Sequence, residues 1–392
     1  MATPSITMIP SGYKAQKVYS VLPTNGDGDF TFDRNNAGSR VNKNGLIEQV
    51  ATDVPRLDYS DGSCPSLLLE PVSTNLVIGS AEGNYGNAPA SSTNTISPDG
   101  TNNAFIPVPN DEADRYEETI PANTYSNGQK LTYSWYRKRI STPTGLSRTG
   151  DLDIKGLENL TELETSNATQ IESDINGFDR FQAVVEIIDG SVQSIFRAYF
   201  GQIIEVGNSS VAYFGHQLEE KPYATSYIPT TSGTASRGVD SASKDGLSSY
   251  ISSTAGVLYA EFAALTNELD GFYKVLTLNV GTASGANGIL LGFRNTNDIY
   301  ASVGGTFITS YTPTDITAFN KVAVKYEDNN SKLFVNGVQV DSTNTTTTIP
   351  SGLSRLGFDS GSGGSRFHVK TKDVRVYNTA LTDLELQELT TI

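Results

Sequence analysis

The segment that most restricts the possible fold is residues 332–340, KLFVNGVQV. Two short apolar stretches flank Asn336 and Gly337, the residue pair most typical of a type I′ turn, in which both central residues need a positive φ. This pattern predicts an antiparallel β-hairpin. It also favours an all-β chain, because a hairpin alone must pair with further strands to bury its apolar face.

Short strand patterns bounded by turn residues recur along the chain. Leu131, Tyr133 and Trp135 alternate with polar residues, which predicts a strand with these three side chains on one face and Trp135 in a core. Asn176 and Gly177 form a second hairpin signal. Further strands are predicted at residues 181–187, 257–262, 274–280, 288–294, 321–326 and 366–377. Only 18% of the residues are charged, which is low for a globular protein and suits turn-rich β structure.

One short helix is predicted at the end of the sequence. Thr382 and Glu385 have the spacing of a capping box, and Leu381 and Leu386 have the spacing of a hydrophobic staple. The strands and this helix predict two tandem β-sandwiches after an extended N-terminal docking segment. We expect residues 1–74 to form that segment, residues 75–235 the first sandwich and residues 240–392 the second, joined by the apolar-poor residues 230–238.

Composition argues against several classes of function. The net charge of −15 disfavours binding to nucleic acid and to anionic membrane surfaces. Cys64 is the only cysteine and His216 and His368 are the only histidines, so neither an intrachain disulfide nor a thiolate zinc site can form, and we expect no metal and no cofactor. No apolar stretch suggests a signal peptide or a membrane span, so we expect synthesis in a host cytoplasm.

Three sets of residues resemble known families. Residues 333–338 (LFVNGV), 356–358 (LGF), 373–378 (DVRVYN) and 380–383 (ALTD) resemble the laminin-G/concanavalin-A-like family. This resemblance implies that the all-β chain forms sandwiches of jelly-roll or concanavalin-like type. Residues 176–181 (NGFDRF), 214–220 (FGHQLEE) and 225–230 (TSYIPT) are similar to carbohydrate-binding modules found in phage tail proteins. An ordered set of short segments resembles a block that recurs in phage structural proteins, especially in phages of Bacteroidota: 31–34 (TFDR), 39–42 (SRVN), 45–48 (GLIE), 54–59 (VPRLDY), 64–71 (CPSLLLEP) and 74–76 (TNL). This last resemblance implies a location in the virion.

Metal and catalytic patterns are incomplete. Asn25, Asp27 and Asp29 alternate like the start of an EF-hand loop, but Phe30 and Asn36 occupy the positions that need Gly and Glu. Four loop residues could ligate calcium at a sandwich rim, although no spacing singles them out: Asp270, Asn295, Asn297 and Asp298. Glycoside hydrolysis needs two matched carboxylates, and the alternating E-x-D-x-E strand of concanavalin-like glucanases is missing. We therefore expect no enzymatic activity.

Glycan binding needs exposed aromatic rings beside hydrogen-bonding side chains. Tyr300 and Tyr311 flank loop segments close to Asp298, and these three residues are the predicted ligand-binding set. The sequence predicts a tail-fibre or capsid-spike protein that contacts host-surface glycans. We expect it to form a homotrimer and to bind other virion proteins. A structural connector without a ligand and a glycan depolymerase are the alternatives.

Overall fold

The computed structural model describes residues 2–80, 91–107, 115–120, 122–140, 153–157, 168–199, 211–267, 274–281, 288–294, 297–340, 346–361 and 363–392. Within these residues there are thirty strands and one short helix, so the all-β prediction is confirmed. No helix in this part of the chain is long and apolar enough to cross a bilayer.

The strands follow one another along the whole chain. The first ten are β1 (Ile6–Met8), β2 (Tyr13–Lys14), β3 (Lys17–Val18), β4 (Phe30–Asp33), β5 (Gly38–Val41), β6 (Ile47–Val50), β7 (Leu57–Asp58), β8 (Ser66–Leu68), β9 (Ser73–Asn75) and β10 (Ser91–Thr95). The next ten are β11 (Ala104–Pro107), β12 (Arg115–Ile120), β13 (Lys130–Arg139), β14 (Asp153–Leu157), β15 (Thr169–Ile175), β16 (Phe178–Glu186), β17 (Ser194–Tyr199), β18 (Val211–Glu219), β19 (Ala235–Arg237) and β20 (Ser241–Lys244). The last ten are β21 (Ala255–Ala264), β22 (Lys274–Asn279), β23 (Gly288–Phe293), β24 (Ile299–Val303), β25 (Thr306–Tyr311), β26 (Asn320–Glu327), β27 (Lys332–Val335), β28 (Val338–Val340), β29 (Arg355–Gly357) and β30 (Val369–Tyr377).

The chain forms two compact units, and neither is continuous in sequence. Unit 1 consists of Met1–Ala37, Val50–Pro71 and Gly238–Ile392, and unit 2 consists of Gly38–Gln49 and Val72–Arg237. Residues 1–74 are therefore divided between the two units, which differs from the separate docking segment expected from the sequence. Residues 235–237 of the expected linker form β19, which pairs with β9 in unit 2.

Unit 1 contains two large antiparallel sheets. One has the order β28-β27-β26-β21-β30-β8-β7, with β1 also paired to β30, and the other has the order β2-β3-β4-β20-β29-β22-β23-β24-β25. A single apolar core draws residues from all three chain segments, including Ile6, Phe32, Leu67 and Val376. The N-terminal strands therefore complete the sandwich of the C-terminal region.

A buried ionic network joins the three chain segments of unit 1. Arg34 donates to Asp240 at 3.2 Å, and Arg56 forms ion pairs with Glu70 and with the second oxygen of Asp240. Burial opposes the charge on Arg56, but Asp240 and Glu70 outweigh that effect and raise the pKa of Arg56 above its ordinary value. The network satisfies charges that would otherwise be costly inside the sandwich.

The predicted hairpin and helix of unit 1 are confirmed. β27 and β28 pair around Asn336 (φ 51°) and Gly337 (φ 81°), as a type I′ turn requires. The helix α1 spans Asp383–Thr390, and Thr382 and Glu385 form the expected capping box. Leu381 and Leu386 lie in one apolar cluster with Tyr259 and Phe334, so α1 covers part of the outer face of the eight-stranded sheet.

Unit 2 is built around a six-stranded sheet of order β10-β11-β18-β13-β16-β15 and a three-stranded sheet of order β12-β17-β14. Leu131, Tyr133 and Trp135 share one apolar cluster with Phe196 of β17, which confirms that Trp135 is a core residue. Asn176 and Gly177 both have positive φ between β15 and β16, as their turn signal predicted. β5 with β6 and β9 with β19 form two small additional sheets.

His216 lies inside the aromatic core of unit 2. Its Nδ1 and the Tyr133 hydroxyl are 2.6 Å apart and share a hydrogen bond. The ring is also within 6.1 Å, centroid to centroid, of Phe105 and Tyr213. Burial lowers the pKa of His216 to about 3, so the imidazole is neutral at physiological pH.

Candidate glycan-binding site

The three residues predicted to bind a ligand lie at one end of the nine-stranded sheet, where β25 is the edge strand. In the register of β24 and β25, Tyr300 pairs with Ser310 and Ile299 pairs with Tyr311. Ile299 belongs to the core of unit 1 and Tyr311 packs against it. Because neighbouring residues of a strand point to opposite faces, Tyr300 and Ser310 face outward while Tyr311 faces inward. The structure therefore separates the two tyrosines.

Tyr300 is a correction to the sequence-based expectation of an exposed aromatic ring. Its side chain is only 5% exposed and packs with Val275 and Leu290 in a small apolar cluster. Those residues are its outward-facing neighbours on β22 and β23, through the pairs Val275 with Gly292 and Gly292 with Tyr300. The Tyr300 ring is therefore covered by its neighbours on the outer face and is not exposed for stacking against a sugar.

Asp298 lies directly before β24. The backbone N–H of Arg294 donates to the carbonyl of Asp298 at 2.9 Å, and Asn297 has a φ of 59°. The Asp298 carboxylate accepts hydrogen bonds from the hydroxyls of Ser310, at 3.3 Å, and Thr312. These contacts fix an acidic acceptor beside two hydroxyl groups of the edge-strand region.

Phe307 is the aromatic residue that the sequence analysis missed. It pairs with Ser302 on the outward face and is 39% exposed. The guanidinium carbon of Arg294 lies 5.2 Å from its ring centroid, within the range of a cation–π contact. A register shift between Ala301 and Ser302 marks a β-bulge, and this allows Phe307 and Ser310 to face the same side although three positions separate them.

These side chains form one continuous surface, which we call the edge patch. Arg294 joins the hydroxyl-bearing part of the patch to its aromatic part. The Nη1 of Arg294 donates to the Ser310 hydroxyl at 3.5 Å, and the guanidinium contacts the Phe307 ring. The patch combines an exposed ring, a cation, a carboxylate and two hydroxyls. Its members are Arg294, Asp298, Phe307, Ser310 and Thr312.

The residues considered for calcium have other partners. Asp27 accepts hydrogen bonds from Asn25 and from the Tyr250 hydroxyl, both at 2.8 Å, and these contacts lower the pKa of Asp27. Asp29 accepts from Ser20 and pairs with Lys17. Asp270 and Asn295 lie outside the described residues. Within the described ranges, no three His, Cys, Asp or Glu side chains are grouped as metal ligands.

Four carboxylates at the terminal helix and at the end of β18 have structural partners. Asp383 pairs with Lys332 at 2.6 Å, and Glu385 is engaged in the helix cap. In unit 2, Glu219 is buried and accepts from Ser73 at 2.6 Å, while Glu220 accepts from Tyr125. Cys64 is exposed. These contacts give each carboxylate a structural partner.

Comparison with known families identifies part of unit 1. Residues 267–387 match the family model described as the Concanavalin A-like lectin/glucanases superfamily (Laminin_G_3). This segment is therefore similar to concanavalin-A-like domains. It contains β22 to β30, most of α1 and the whole edge patch. No curated protein matches the chain in sequence.

Several solved structures are similar to part of this chain. A leech intramolecular trans-sialidase shares 22% identity, with 36% of this chain and 24% of that chain covered, at a TM-score of 0.28. The CBM40 of Ruminococcus gnavus IT-sialidase, bound to α2,3 sialyllactose, shares 20% identity over 35% of this chain and 83% of that chain, at 0.28. Trypanosoma rangeli sialidase in complex with the inhibitor DANA shares 13% identity over 38% and 25%, at 0.30. The chain spans about a quarter of the leech and trypanosome enzymes.

Proposed function

We propose that this chain is a non-enzymatic glycan-binding protein of a bacteriophage virion, and that its edge patch contacts sugars on the host surface. The observation that carries the proposal is the exposed Phe307 ring beside Arg294, on the edge of a concanavalin-A-like domain. An exposed apolar ring beside a few hydrogen-bonding side chains can supply the apolar part of a ligand-binding surface. This ring is outward-facing and has polar neighbours on the same face.

The chemistry of the edge patch suits a sugar. The apolar face of a pyranose packs on an aromatic ring, while its hydroxyl groups need both donors and acceptors. Arg294 supplies donors, Asp298 supplies acceptors, and the Ser310 and Thr312 hydroxyls can act as either. Few polar groups at fixed positions beside an apolar surface are the usual composition of a specific small-molecule site.

A single open patch of this kind binds weakly, so the proposed role depends on several copies. Linking identical sites on one particle raises avidity by roughly 10² to 10⁴ without any new contact. We therefore propose a closed homo-oligomer, with three chains as the expected state, mounted with other virion proteins as a tail fibre or a capsid spike. The resemblance of the N-terminal sequence block to phage structural proteins supports the virion location.

A glycan array probed with the full-length protein tests the proposal. The proposal predicts binding to a defined subset of glycans, strengthened when the chain is displayed in several copies. Failure to bind any host-derived glycan in either form would favour a structural connector without a ligand. Release of reducing sugar from host polysaccharide, lost when one carboxylate is replaced, would instead indicate a depolymerase.

A further inference from the structure

Six asparagines of this chain are followed directly by glycine, and such pairs are chemically reactive. The backbone nitrogen of the glycine can attack the side-chain carbonyl carbon of the asparagine, because glycine has no Cβ to hinder the approach. The new C–N bond closes a succinimide ring, and the side-chain nitrogen leaves as ammonia with the proton of the glycine nitrogen. Water then opens the ring to aspartate or isoaspartate. The asparagine of the pair 287–288 lies outside the described residues, so five pairs can be compared.

The attacking glycine nitrogen is engaged in all five described pairs. Gly26, Gly45 and Gly128 donate their N–H groups to backbone carbonyls, at 3.4, 2.9 and 2.8 Å. Gly177 and Gly337 donate theirs to side-chain oxygens, both at 3.1 Å. The glycine nitrogen therefore does not distinguish the pairs, and any difference in reactivity must come from the asparagine side chains.

Two of the five asparagine side chains are held by two hydrogen bonds each. Asn336 accepts from the backbone N–H of Lys321 at 2.9 Å and donates to the Asn320 side chain at 2.8 Å. Asn25 accepts from the backbone N–H of Asp27 at 3.0 Å and donates to its carboxylate at 2.8 Å. Attack requires the amide group to turn towards the glycine nitrogen, so these bonds must break before the reaction can proceed.

Two further asparagine side chains are each held by one hydrogen bond. Asn127 accepts from the backbone N–H of Gly190 at 2.8 Å. Asn176 donates to the backbone carbonyl of Ser97, also at 2.8 Å. Both bonds link the asparagine to a distant part of unit 2, so each fixes the orientation of the amide group. We therefore expect an intermediate reactivity at these two positions.

Asn44, in the turn between β5 and β6, has no such restraint. Its side chain is exposed and makes no hydrogen bond with any residue that the structure describes, while its backbone N–H donates to the Asn42 side chain at 2.9 Å. A Cβ placed on Gly45 would meet no atom of a non-neighbouring residue within 4 Å, so the space beside the reacting nitrogen is open. Asn44 can therefore turn towards Gly45 without breaking a side-chain hydrogen bond.

We propose that Asn44 is a spontaneous modification site, at which asparagine becomes aspartate or isoaspartate as the protein ages. Water is the only co-reactant, and each event adds one negative charge. Isoaspartate also lengthens the backbone by one carbon, in a turn where the Asn42 side chain accepts from the N–H of Leu46 at 3.2 Å. The modification should therefore loosen the connection of β5 to β6 in unit 2. It is independent of the proposed glycan binding, because the edge patch belongs to unit 1.

Peptide mapping by mass spectrometry tests the site in the full-length protein. Folded protein and protein unfolded in guanidinium chloride are incubated in mildly alkaline buffer and then digested with pepsin in acid, where the reaction is slow. The rate of each asparagine in the unfolded chain serves as its own reference. Asn44→Gln is the control, because the longer side chain closes its ring slowly. Asp27→Ala tests the cause of protection: it removes the carboxylate that holds Asn25 and should raise the Asn25 rate about fivefold.

Asn44 should react in the folded protein within about threefold of its unfolded rate, since no side-chain hydrogen bond must break. Asn25 and Asn336 should be slowed at least about tenfold, and Asn127 and Asn176 about fivefold, according to the number of bonds that hold them. Asn44→Gln protein should lack the acidic species that wild-type protein forms first. The inference is overturned if folding slows Asn44 as strongly as Asn336, or if another of the five described asparagines reacts faster than Asn44.

Discussion

Arg34 and Asp240 lie 206 positions apart in the sequence and form an ion pair at 3.2 Å, with both side chains fully buried. Asp240 also pairs with Arg56 and accepts from the backbone N–H of Glu70 at 2.8 Å. One carboxylate thus lies between two buried guanidinium groups and joins the two N-terminal segments of unit 1, residues 1–37 and 50–71, to its C-terminal part. The N-terminal strands therefore belong to this sandwich.

Asp240→Asn should destabilise unit 1 by about 3–5 kcal/mol, because it removes the negative charge between two buried arginines. The measurement is the free energy of unfolding of unit 1 in urea. Asp245→Asn is the matched control, since Asp245 is exposed and pairs with Arg355 at 3.3 Å on the surface. That change should cost less than about 1 kcal/mol. Equal effects of the two changes would contradict the structural role of the network.

Deleting residues 1–37 should prevent unit 1 from folding, because the deletion removes β1 to β4 and the buried side chains Ile6, Phe30 and Phe32. Each such side chain contributes roughly 1.5–3 kcal/mol when buried, and a domain is stable by only about 5–15 kcal/mol in total. NMR amide dispersion of the truncated chain should show unit 2 folded and unit 1 lost. A well-dispersed unit 1 after this deletion would show that the N-terminal strands are accessory.

Unit 2 should be sensitive to mild acid through His216. The folded-state pKa of about 3 lies below the ordinary value of 6.5, so the stabilising contribution is complete above pH 6.5 and is lost as the pH falls towards 3. The loss is roughly 1.4 kcal/mol per pH unit, or about 2 kcal/mol between pH 6.5 and pH 5. Urea unfolding of unit 2 at several pH values measures it. His216→Gln should flatten the profile, and an unchanged slope would place the acid sensitivity elsewhere.

The assembled protein should be a trimer, since closed cyclic symmetry is the usual form of homo-oligomers and a weak sugar site gains most from display in several copies. Light scattering should give the mass of three 42.0-kDa chains. A monomer at virion-like local concentration would remove the multivalent part of the proposed function. The affinity of a single edge patch for a glycan does not depend on the oligomeric state.

Local signals in the sequence predicted local structure well. The Asn336–Gly337 turn and the Thr382–Glu385 cap depend on residues within a few positions of each other, and both are present as expected. The pairing of β1 with β30 and the ion pair of Arg34 with Asp240 join residues hundreds of positions apart, for which no local pattern exists. The N-terminal strands were therefore assigned to a separate segment.

The difference between local signals and long-range contacts also explains which site residues could be predicted. The sequence placed Asp298 near a loop, but which aromatic ring faces outward depends on strand register. A single bulge brings Phe307 to the surface beside Ser310, and the packing of Val275 and Leu290 against Tyr300 buries the tyrosine. Neither the bulge nor this packing has a signature in one sequence.

The most direct test of the central claim is the affinity of the edge patch for a glycan found on the array, measured by titration calorimetry with wild-type and Phe307→Ala protein. Loss of the exposed ring should weaken binding about tenfold, which corresponds to about 1.4 kcal/mol of lost aromatic contact. Asp298→Asn should weaken it further, since one carboxylate acceptor is lost. Val338→Ala, at a residue 53% exposed on β28 of the other sheet, is the control and should bind like wild type. Equal affinities of wild-type, Phe307→Ala and Val338→Ala protein would contradict the claim that sugars are bound at the edge patch.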